Sequence, residues 1–377
     1  MSTEPSSAGS GLAPSLRIAL VHDWLVTWRG GEQVLDVLAG MFPQADLFTL
    51  VADPSILPDS LRGRRLTTSW LQRLPWRQQF RWALPLFPWT VERFRFDAYD
   101  LVISISHAVA KGAVTGDTPH LCYCLTPMRY AWVVPEIYLG RMANLPWSPQ
   151  RALIRYLQDW DRASAPRVHQ FIAISDVVRR RIAQYYGRPA SVIHPPVDCD
   201  RLLQLHRQPQ GYYLVVAALV PYKRTEMAID ACDRLRKPLV IVGDGPEAPR
   251  LQRRAGPTIR FVGRQTAEQL GQWYAGAEAL LYPQEEDFGI AAVEAQAAGC
   301  PVVALRRGGA TETVEEGRGG VLFDAQTVEA LMDAMERLRK AGPPSDGMRA
   351  AATRFDRSRF VREFTAAVAA MIGAARR

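Results

Sequence analysis

The sequence predicts an α/β protein made of two doubly wound units. Short apolar runs, of the kind that form strands buried on both faces, alternate with helical patterns along the chain. The first set of predicted strands is 16–21, 99–105, 120–125 and 170–174. After a Pro-Pro pair and the polar stretch 204–210 the alternation restarts, with strands at 212–218, 239–242, 259–262, 279–282 and 301–305. We therefore expect two Rossmann-like domains with parallel sheets that face each other across a cleft.

The length of the chain supports two domains, because 377 residues exceed what one hydrophobic core usually serves. We assign residues 1–15 to a disordered tail, 16–200 to a first domain and 201–354 to a second. Residues 355–377 are predicted to form a C-terminal helix that packs back on the first domain. The tail is rich in Ser, Gly, Ala and Pro and lacks the basic start and apolar run of a signal peptide.

Composition excludes several classes of protein. The five cysteines are odd in number and contain no CxxC pair, which fits neither a disulfide framework nor a zinc site and indicates a reducing cytoplasm. The longest apolar run, 214–220, is too short to span a bilayer, so membrane contact would be peripheral. The net charge of +8 suggests an anionic substrate, a lipid surface or a nucleic acid without choosing among them.

The strongest chemical signal lies in the second half, at 286–295. Gly289 is predicted to open a helix whose first amides bind a phosphate. Glu286 before it and Glu294 within it each accept hydrogen bonds from a vicinal diol, and Lys223 supplies a cation at another strand-to-helix turn. Ribose diol, diphosphate and hexose hydroxyls occur together in a nucleotide sugar. The alternative is that these charged residues are merely solvated.

Two turns in the first half are candidate ligand contacts. Gly30 and Gly31, between the first strand and its helix, permit close approach of the backbone to a ligand, or form a plain tight turn. His107 and Lys111 follow a buried strand four residues apart and are predicted to project together into the cleft. A hydrogen-bonded structural histidine is the alternative for His107.

Residues 62–95 differ from the rest in composition, because their only acid is Glu92. The same segment contains eight arginines and four tryptophans: Arg62, Arg64, Arg65, Arg73, Arg77, Arg81, Arg93, Arg95, Trp70, Trp76, Trp82 and Trp89. We predict that this segment meets an anionic membrane, where a lipid-linked acceptor is presented. The residues assigned to contact the acceptor or the membrane are Lys111, Arg73, Trp76, Arg77, Arg81 and Trp82. Single-stranded nucleic acid is a rival without a supporting motif, and tryptophans packed inward are the structural alternative.

The second half resembles the family-4 retaining glycosyltransferases of the GT-B fold, in which two glutamates separated by seven residues follow a strand. The segments 243–247, 261–264 and 308–314 also stand where that family carries similar sequences. Segments 123–132 and 193–198 resemble the bacterial mannosyltransferases that build O-antigen and exopolysaccharide from GDP-mannose. The resemblance covers nearly the whole chain after residue 15.

The resemblance implies a role for each matching residue. Glu294 would bind the donor ribose, Glu286 the transferred hexose, and Lys223 the phosphates. The remaining donor contacts would be the backbone around Phe288, Gly289 and Ile290, the Gly30–Gly31 turn, and Arg224 and Arg264, with His107 near the transferred sugar. One position departs from the family, because Ala218 stands where an arginine is usual. Loss of such a contact costs about 1.5–3 kcal/mol.

The function implied is retaining transfer of mannose from GDP-mannose to a lipid-linked saccharide at the inner face of the cytoplasmic membrane. No cofactor or metal is expected, since no DxD-type motif stands at a strand end. Alternatives are a UDP-sugar donor, a sugar-nucleotide epimerase and a degenerate protein without activity. A nicotinamide oxidoreductase is disfavoured because the turn after the first strand lacks GxGxxG.

Overall fold

The computed structural model describes residues 16–375 except 75–76, 134, 136–144, 146 and 343–346. Its residues fall into two compact units. The first comprises the chain up to Ile193 together with the residues from Phe360 onward, and the second comprises His194–Arg359. The tail assigned to 1–15 and Trp76 lie outside the described residues.

The first unit contains a parallel sheet of seven strands. The strands are β1 (Ile18–His22), β2 (Asp46–Thr49), β3 (Leu66–Thr68), β4 (Leu101–Ser106), β5 (His120–Cys124), β6 (Gln170–Ala173) and β7 (Ala190–Val192). The α-helices are α1 (Gly30–Met41), α2 (Phe87–Val91), α3 (Arg129–Trp132), α4 (Pro149–Ser164) and α5 (Asp176–Tyr186). Short 3-10 helices cover Pro54–Ile56, Trp70–Arg73, Arg77–Leu86, Ala110–Gly112 and Ala165–Arg167.

The second unit contains a parallel sheet of six strands. These are β8 (Tyr212–Val216), β9 (Leu239–Val242), β10 (Ile259–Gly263), β11 (Ala277–Tyr282), β12 (Val302–Leu305) and β13 (Gly320–Phe323). The helices are α6 (Cys199–Leu203), α7 (Thr225–Leu235), α8 (Ala248–Arg254), α9 (Ala267–Gly276), α10 (Ile290–Ala297), α11 (Ala310–Thr313), α12 (Val328–Ala341) and α13 (Gly347–Ala352). The 3-10 helices are Pro221–Lys223 and Thr353–Phe355.

The C-terminal helix α14 (Arg357–Ala375) joins the first unit from Phe360 onward. The rings of Phe360 and Phe364 meet Tyr123 on β5 edge-on, with ring centroids 5.6 and 5.8 Å apart. All three side chains are fully buried. This aromatic contact anchors the end of the chain on the sheet of the first unit. Within the described residues, no helix combines the length and the hydropathy that crossing a bilayer requires.

Strand order places the functional turns. The first sheet runs β3-β2-β1-β4-β5-β6-β7 and the second runs β10-β9-β8-β11-β12-β13. In each sheet the order reverses once, between β1 and β4 and between β8 and β11. Ligands of doubly wound sheets bind in the crevice that such a reversal opens at the carboxyl ends of the strands.

The predicted α/β class is confirmed, and each predicted strand coincides with an observed one. Four strands were not predicted: β2, β3, β7 and β13. They contain three or four residues each, and β2, β3 and β7 include polar residues that interrupt an apolar run. Three of the four strands lie at the ends of the two sheets. There, pairing with the neighbouring strand supplies the backbone hydrogen bonds that their own sequence does not predict.

Candidate active site

A lysine and a glutamate meet at the reversal point of the second sheet. Lys223 ends the 3-10 turn after β8, and Glu286 lies in the loop after β11, the neighbouring strand. The lysine Nζ lies 2.5 Å from the glutamate Oε1, and the two side chains are only 15% and 16% exposed. An ammonium and a carboxylate in this partly desolvated position interact more strongly than on an open surface. The structure therefore brings two of the predicted residues together.

The loop after β11 leads into α10 through a glycine with a left-handed backbone conformation. Gly289 has φ +98° and ψ +59°, a left-handed conformation that residues with a Cβ rarely adopt. A Cβ at this position would also lie 2.9 Å from the Tyr282 hydroxyl oxygen. The N-cap residue of α10 is Gly289, which has no side chain to cap the helix that begins at Ile290. The first amides of the helix thus lie at the carboxyl end of β11, where a helix N-terminus favours an anion.

The turn after β12 contacts the backbone of the loop after β11. The Gly309 N–H donates to the carbonyl oxygen of Glu286 over 2.7 Å. Gly308 has φ +62°, and a Cβ on either glycine would overlap the backbone of Glu286 or Phe288. The segment 308–314, noted in the sequence, therefore positions the Glu286 loop through backbone contact.

The side chain of Phe288 packs inside the second unit. Its ring lies 5.4 Å from the ring of His194 and 5.3 Å from that of Phe355. His194 Nε2 lies 3.4 Å from an oxygen of Glu312, in the short helix α11. Burial, and then the charges of Arg359 and Arg354, lower the pKa of His194 to about 4. Because this side chain is buried, a ligand could reach Phe288 only through its backbone.

Glu294 occupies a different local environment from Glu286. Its Oε2 accepts a hydrogen bond of 2.9 Å from the hydroxyl of Tyr274, a fully buried residue of α9. Burial raises the pKa of Glu294 to about 7, although the Tyr274 hydrogen bond and the charge of Arg201 act in the opposite direction. A carboxyl group with this pKa changes charge near neutral pH. Tyr274 was not singled out in the sequence, where a lone tyrosine on a helix carries no signal.

The two arginines predicted to assist Lys223 lie on separate turns. Arg224 adopts φ +52° at the start of α7, and its guanidinium lies 3.8 Å from a Glu226 oxygen at a half-exposed position. Arg264 follows β10, the outermost strand, and is exposed. Backbone hydrogen bonds link the turns after β8, β9 and β10: Leu219 N–H to Asp244 O, and Gly243 N–H to Gly263 O. Ala218 is half-buried in the first of these turns.

A second acid–base pair lies at the reversal point of the first sheet. Asp23 directly follows β1, and His107 directly follows β4. The His107 Nδ1 lies 3.0 Å from an Asp23 oxygen; the histidine side chain is 28% exposed and the aspartate is fully buried. Burial by itself would raise the pKa of Asp23, but the charges of His107 and His22 and hydrogen bonds from His107 lower it to about 2.

His22 and Glu32 extend this pair towards the glycine turn. His22 Nε2 lies 3.9 Å from Glu32 Oε1, and the rings of His22 and His107 are 5.8 Å apart. Burial would raise the pKa of Glu32, but the nearby His22 imidazole lowers it. The other Glu32 oxygen accepts from the Arg29 N–H and so closes the first turn of α1, which contains Gly30 and Gly31. The sequence analysis does not predict Asp23 and His22 as site residues. The signal that could have identified them is their position directly after the predicted buried strand 16–21.

The predicted role of Lys111 is wrong. Lys111 is 1% exposed, and its Nζ lies 3.0 Å from Asp161 Oδ1 on α4. The same ammonium donates to the Asp161 carbonyl and to Ser164 Oγ over 2.6 and 2.7 Å. The spacing to His107 had suggested a shared helical face, but only Ala110–Gly112 are helical, in a 3-10 turn that directs the lysine inward. A buried charge is tolerated here because it is paired and hydrogen-bonded.

The Arg/Trp-rich segment is partly a surface and partly structural. Trp82 is 83% exposed, Trp89 47% and Trp70 38%, so none of these three tryptophans is fully buried. Arg73 is also exposed. Arg64, in contrast, donates to several carbonyls around the end of α1, including those of Ala39 and Phe42. The backbone of Arg77 and Arg81 lies in the 3-10 helix Arg77–Leu86.

No group of three or more His, Cys, Asp or Glu side chains that could hold a metal ion occurs in the part of the chain that the structure describes. The cation beside Glu286 is the ammonium of Lys223.

Two units of this kind, each with a charged pair where its parallel sheet reverses, define a GT-B protein. Among solved structures, Anabaena HepE in complex with UDP-glucose has this fold: the TM-score is 0.69 at 19% identity, over 94% of this chain and 100% of that chain. Residues 28–201 match the family model described as Glycosyltransferase Family 4, and residues 210–341 match the one described as Glycosyl transferases group 1. The chain belongs to the family-4 glycosyltransferases.

Curated relatives are similar over part of their length. The D-inositol 3-phosphate glycosyltransferase 2 of Catenulispora acidiphila is 31% identical over 56% of this chain and 60% of its own. The GDP-mannose-dependent alpha-(1-6)-phosphatidylinositol monomannoside mannosyltransferase of Mycolicibacterium smegmatis is 34% identical over 43% of this chain and 50% of its own. The chain thus spans between half and three fifths of the length of these relatives.

Proposed function

We propose that this protein is a retaining mannosyltransferase that uses GDP-mannose and elongates a lipid-linked saccharide in bacterial surface polysaccharide synthesis. The observation that carries the proposal is the contact of Lys223 with Glu286 beside the Gly289-led helix. A lysine that can bind phosphate, a carboxylate that can accept hydrogen bonds from hydroxyls and a helix N-terminus together suit a ligand that combines a diphosphate with a sugar.

The proposed reaction breaks the bond between the anomeric carbon of the hexose and the oxygen of the diphosphate. Lys223 and the first amides of α10 stabilise the negative charge that develops on the departing phosphate. The acceptor hydroxyl attacks from the same face of the sugar, and its proton passes to that phosphate. Glu286 accepts hydrogen bonds from the hexose hydroxyls and orients the sugar, while Glu294 accepts from the ribose diol.

The choice of GDP-mannose rests on kinship. The M. smegmatis relative is described as GDP-mannose-dependent, and segments 123–132 and 193–198 resemble bacterial mannosyltransferases. A UDP-sugar is the rival donor. Either nucleotide presents the same diphosphate and ribose to Lys223 and Glu294, so the two donors differ in base and hexose only.

Calorimetric titration with GDP-mannose, UDP-glucose and UDP-galactose in EDTA-containing buffer tests this proposal. We expect GDP-mannose to bind at least tenfold more tightly than either UDP-sugar, and mannosyl transfer to persist in EDTA. Tighter binding of a UDP-sugar would contradict GDP-mannose as the donor and favour that UDP-sugar. Transfer that EDTA abolishes and manganese restores would contradict the metal-independent chemistry, and release of an epimerised nucleotide sugar without acceptor would indicate an epimerase.

A lipid-linked acceptor requires contact with a membrane, and the exposed tryptophans support such a surface. Leu86, between Trp82 and Trp89 in sequence, is 44% exposed, and the guanidinium of Arg93 lies 3.8 Å from the centre of a Trp89 ring. Indole rings prefer the headgroup level of a bilayer, and each arginine near an anionic surface contributes about 1 kcal/mol. We place this face of the first unit on the inner face of the cytoplasmic membrane.

Co-sedimentation with vesicles containing anionic phospholipid tests the surface. The wild type is expected to bind at low salt, and the double variant Trp82→Ala/Trp89→Ala to bind several-fold more weakly, because both exposed indoles are lost. Leu235→Ala, which removes an exposed apolar side chain from the second unit, serves as the control and should bind like the wild type. Equal binding by all three proteins would refute the assigned surface.

A further inference from the structure

The turns after β1 and β4 are joined by one carboxylate. Asp23 Oδ2 accepts from the backbone N–H groups of His107 and Ala108 at 2.7 and 2.9 Å. Its Oδ1 accepts from those of Val109 and Ala110 at 2.6 and 2.7 Å. Four successive amides thus converge on a side chain 84 residues or more away in sequence. This convergence determines the shape of the turn that carries His107.

The same carboxylate determines which nitrogen of His107 carries a proton. An ionised carboxylate can only accept hydrogen bonds, and the pKa of about 2 keeps Asp23 ionised at neutral pH. His107 Nδ1 lies 3.0 Å from Asp23 Oδ2. Two acceptors at this distance would repel each other, so Nδ1 must be the protonated nitrogen. Because the Nδ1 proton is donated to Asp23, the imidazole can exchange a hydrogen bond with a substrate group only through Nε2.

Neighbouring side chains hold the ring in this orientation. Trp24 meets the His107 ring edge-on with centroids 4.5 Å apart, and is itself packed against Phe80 and Phe87. On another side lies His22, whose Nδ1 is 3.1 Å from the Ile105 carbonyl oxygen. His107 remains partly exposed while Asp23 is fully buried. The partly exposed imidazole of His107 is thus held in place by the buried carboxylate of Asp23.

We propose that Asp23 is a positioning residue for His107: it shapes the turn, holds the imidazole proton on Nδ1 and leaves Nε2 to face a substrate group. The part that concerns the substrate rests on the proposed function. The tautomer and the turn rest on geometry alone. Asp23 contacts no substrate in this scheme and acts entirely through the histidine.

The tautomer can be measured without any activity. In protein labelled with ¹⁵N-histidine, two-bond couplings from the ring protons distinguish protonated from bare ring nitrogens, and loss of signals in His107→Gln assigns the residue. We expect Nδ1 of His107 to carry a proton at pH 7.5. A bare Nδ1 with the proton on Nε2 would overturn the proposal, whatever reaction the protein performs.

A double-mutant cycle tests the functional part. Asp23→Asn is expected to lower kcat at least tenfold with little change in the KM for the donor, and to have little further effect in a His107→Gln background. Independent losses that multiply in the double variant would overturn the positioning role. Asp100→Asn, a partly exposed aspartate of the same unit, is the matched control. If Asp23→Asn fails to fold, the tautomer of His107 measured in the wild type tests the positioning role. A wild type that transfers no sugar would refute the proposed function and leave the tautomer result unaffected.

Discussion

Replacing Lys223 with alanine is expected to lower kcat/KM for mannosyl transfer by roughly 10²–10³-fold, the usual effect of removing a preorganised group that stabilises developing charge. The ammonium lies 2.5 Å from Glu286 with only 15% of its side chain exposed. Its removal leaves a partly buried carboxylate next to the proposed position of a diphosphate. Repulsion between these anions adds to the lost attraction, so both donor affinity and the rate of the chemical step should fall.

Lys340 provides the matched control for this substitution. It is a lysine of the same unit, 69% exposed and 3.6 Å from Glu336 on the surface of α12. Exposed ion pairs contribute little, so Lys340→Ala should retain wild-type kinetics. Steady-state kinetics and donor titration on both variants make the comparison. Wild-type kcat/KM in Lys223→Ala would remove the diphosphate-binding role on which the proposed function depends.

Glu294→Gln is expected to stabilise the protein above neutral pH while weakening donor binding. The pKa of Glu294 is raised by burial from 4.5 to about 7. The folded protein therefore retains a proton that the unfolded chain releases, and stability from this group is lost as pH rises from about 4.5 through 7. A shift of this size corresponds to roughly 3 kcal/mol. Glutamine keeps the hydrogen bond from Tyr274 but does not ionise.

Thermal denaturation at pH 5 and pH 8 checks this prediction. The variant should exceed the wild type in melting temperature by more at pH 8 than at pH 5. Glu268→Gln, which alters an exposed acid at the start of α9, should show no such difference between the two pH values. A Glu294→Gln variant whose advantage is independent of pH would show that Glu294 titrates normally.

Donor binding should change in the opposite direction. A carboxylate accepts hydrogen bonds from both ribose hydroxyls only when ionised, so wild-type affinity for GDP-mannose is expected to rise between pH 6 and pH 8. Glu294→Gln should abolish this dependence and weaken binding about 10–100-fold, as expected for hydrogen bonds to a charged group. Stability and function therefore conflict at this position, which is common where a binding group is desolvated.

The fold class could be predicted from sequence, and the residues proposed to bind the donor could be selected, because their signals are local. Buried strands are continuous apolar runs, and Gly289 stands between a strand and a helix where a left-handed residue is needed. The segment 308–314 was visible for the same reason, since its glycines are required by close backbone contact. The short strands β3 and β7 could not be predicted, because pairing with a neighbour forms them rather than their own composition.

Residue types and local backbone preferences were determined by the sequence itself: two carboxylates around a helix start, a lysine at a turn, a histidine after a buried strand. Tertiary structure decided which of these groups meet. The order of strands in a parallel sheet depends on crossover connections rather than on local pattern, and this order places Lys223 against Glu286 and Asp23 against His107. Tertiary structure also directs Lys111 inward to Asp161. A buried aspartate requires a charged or hydrogen-bonding partner, and residue spacing along the chain does not show which residue supplies it.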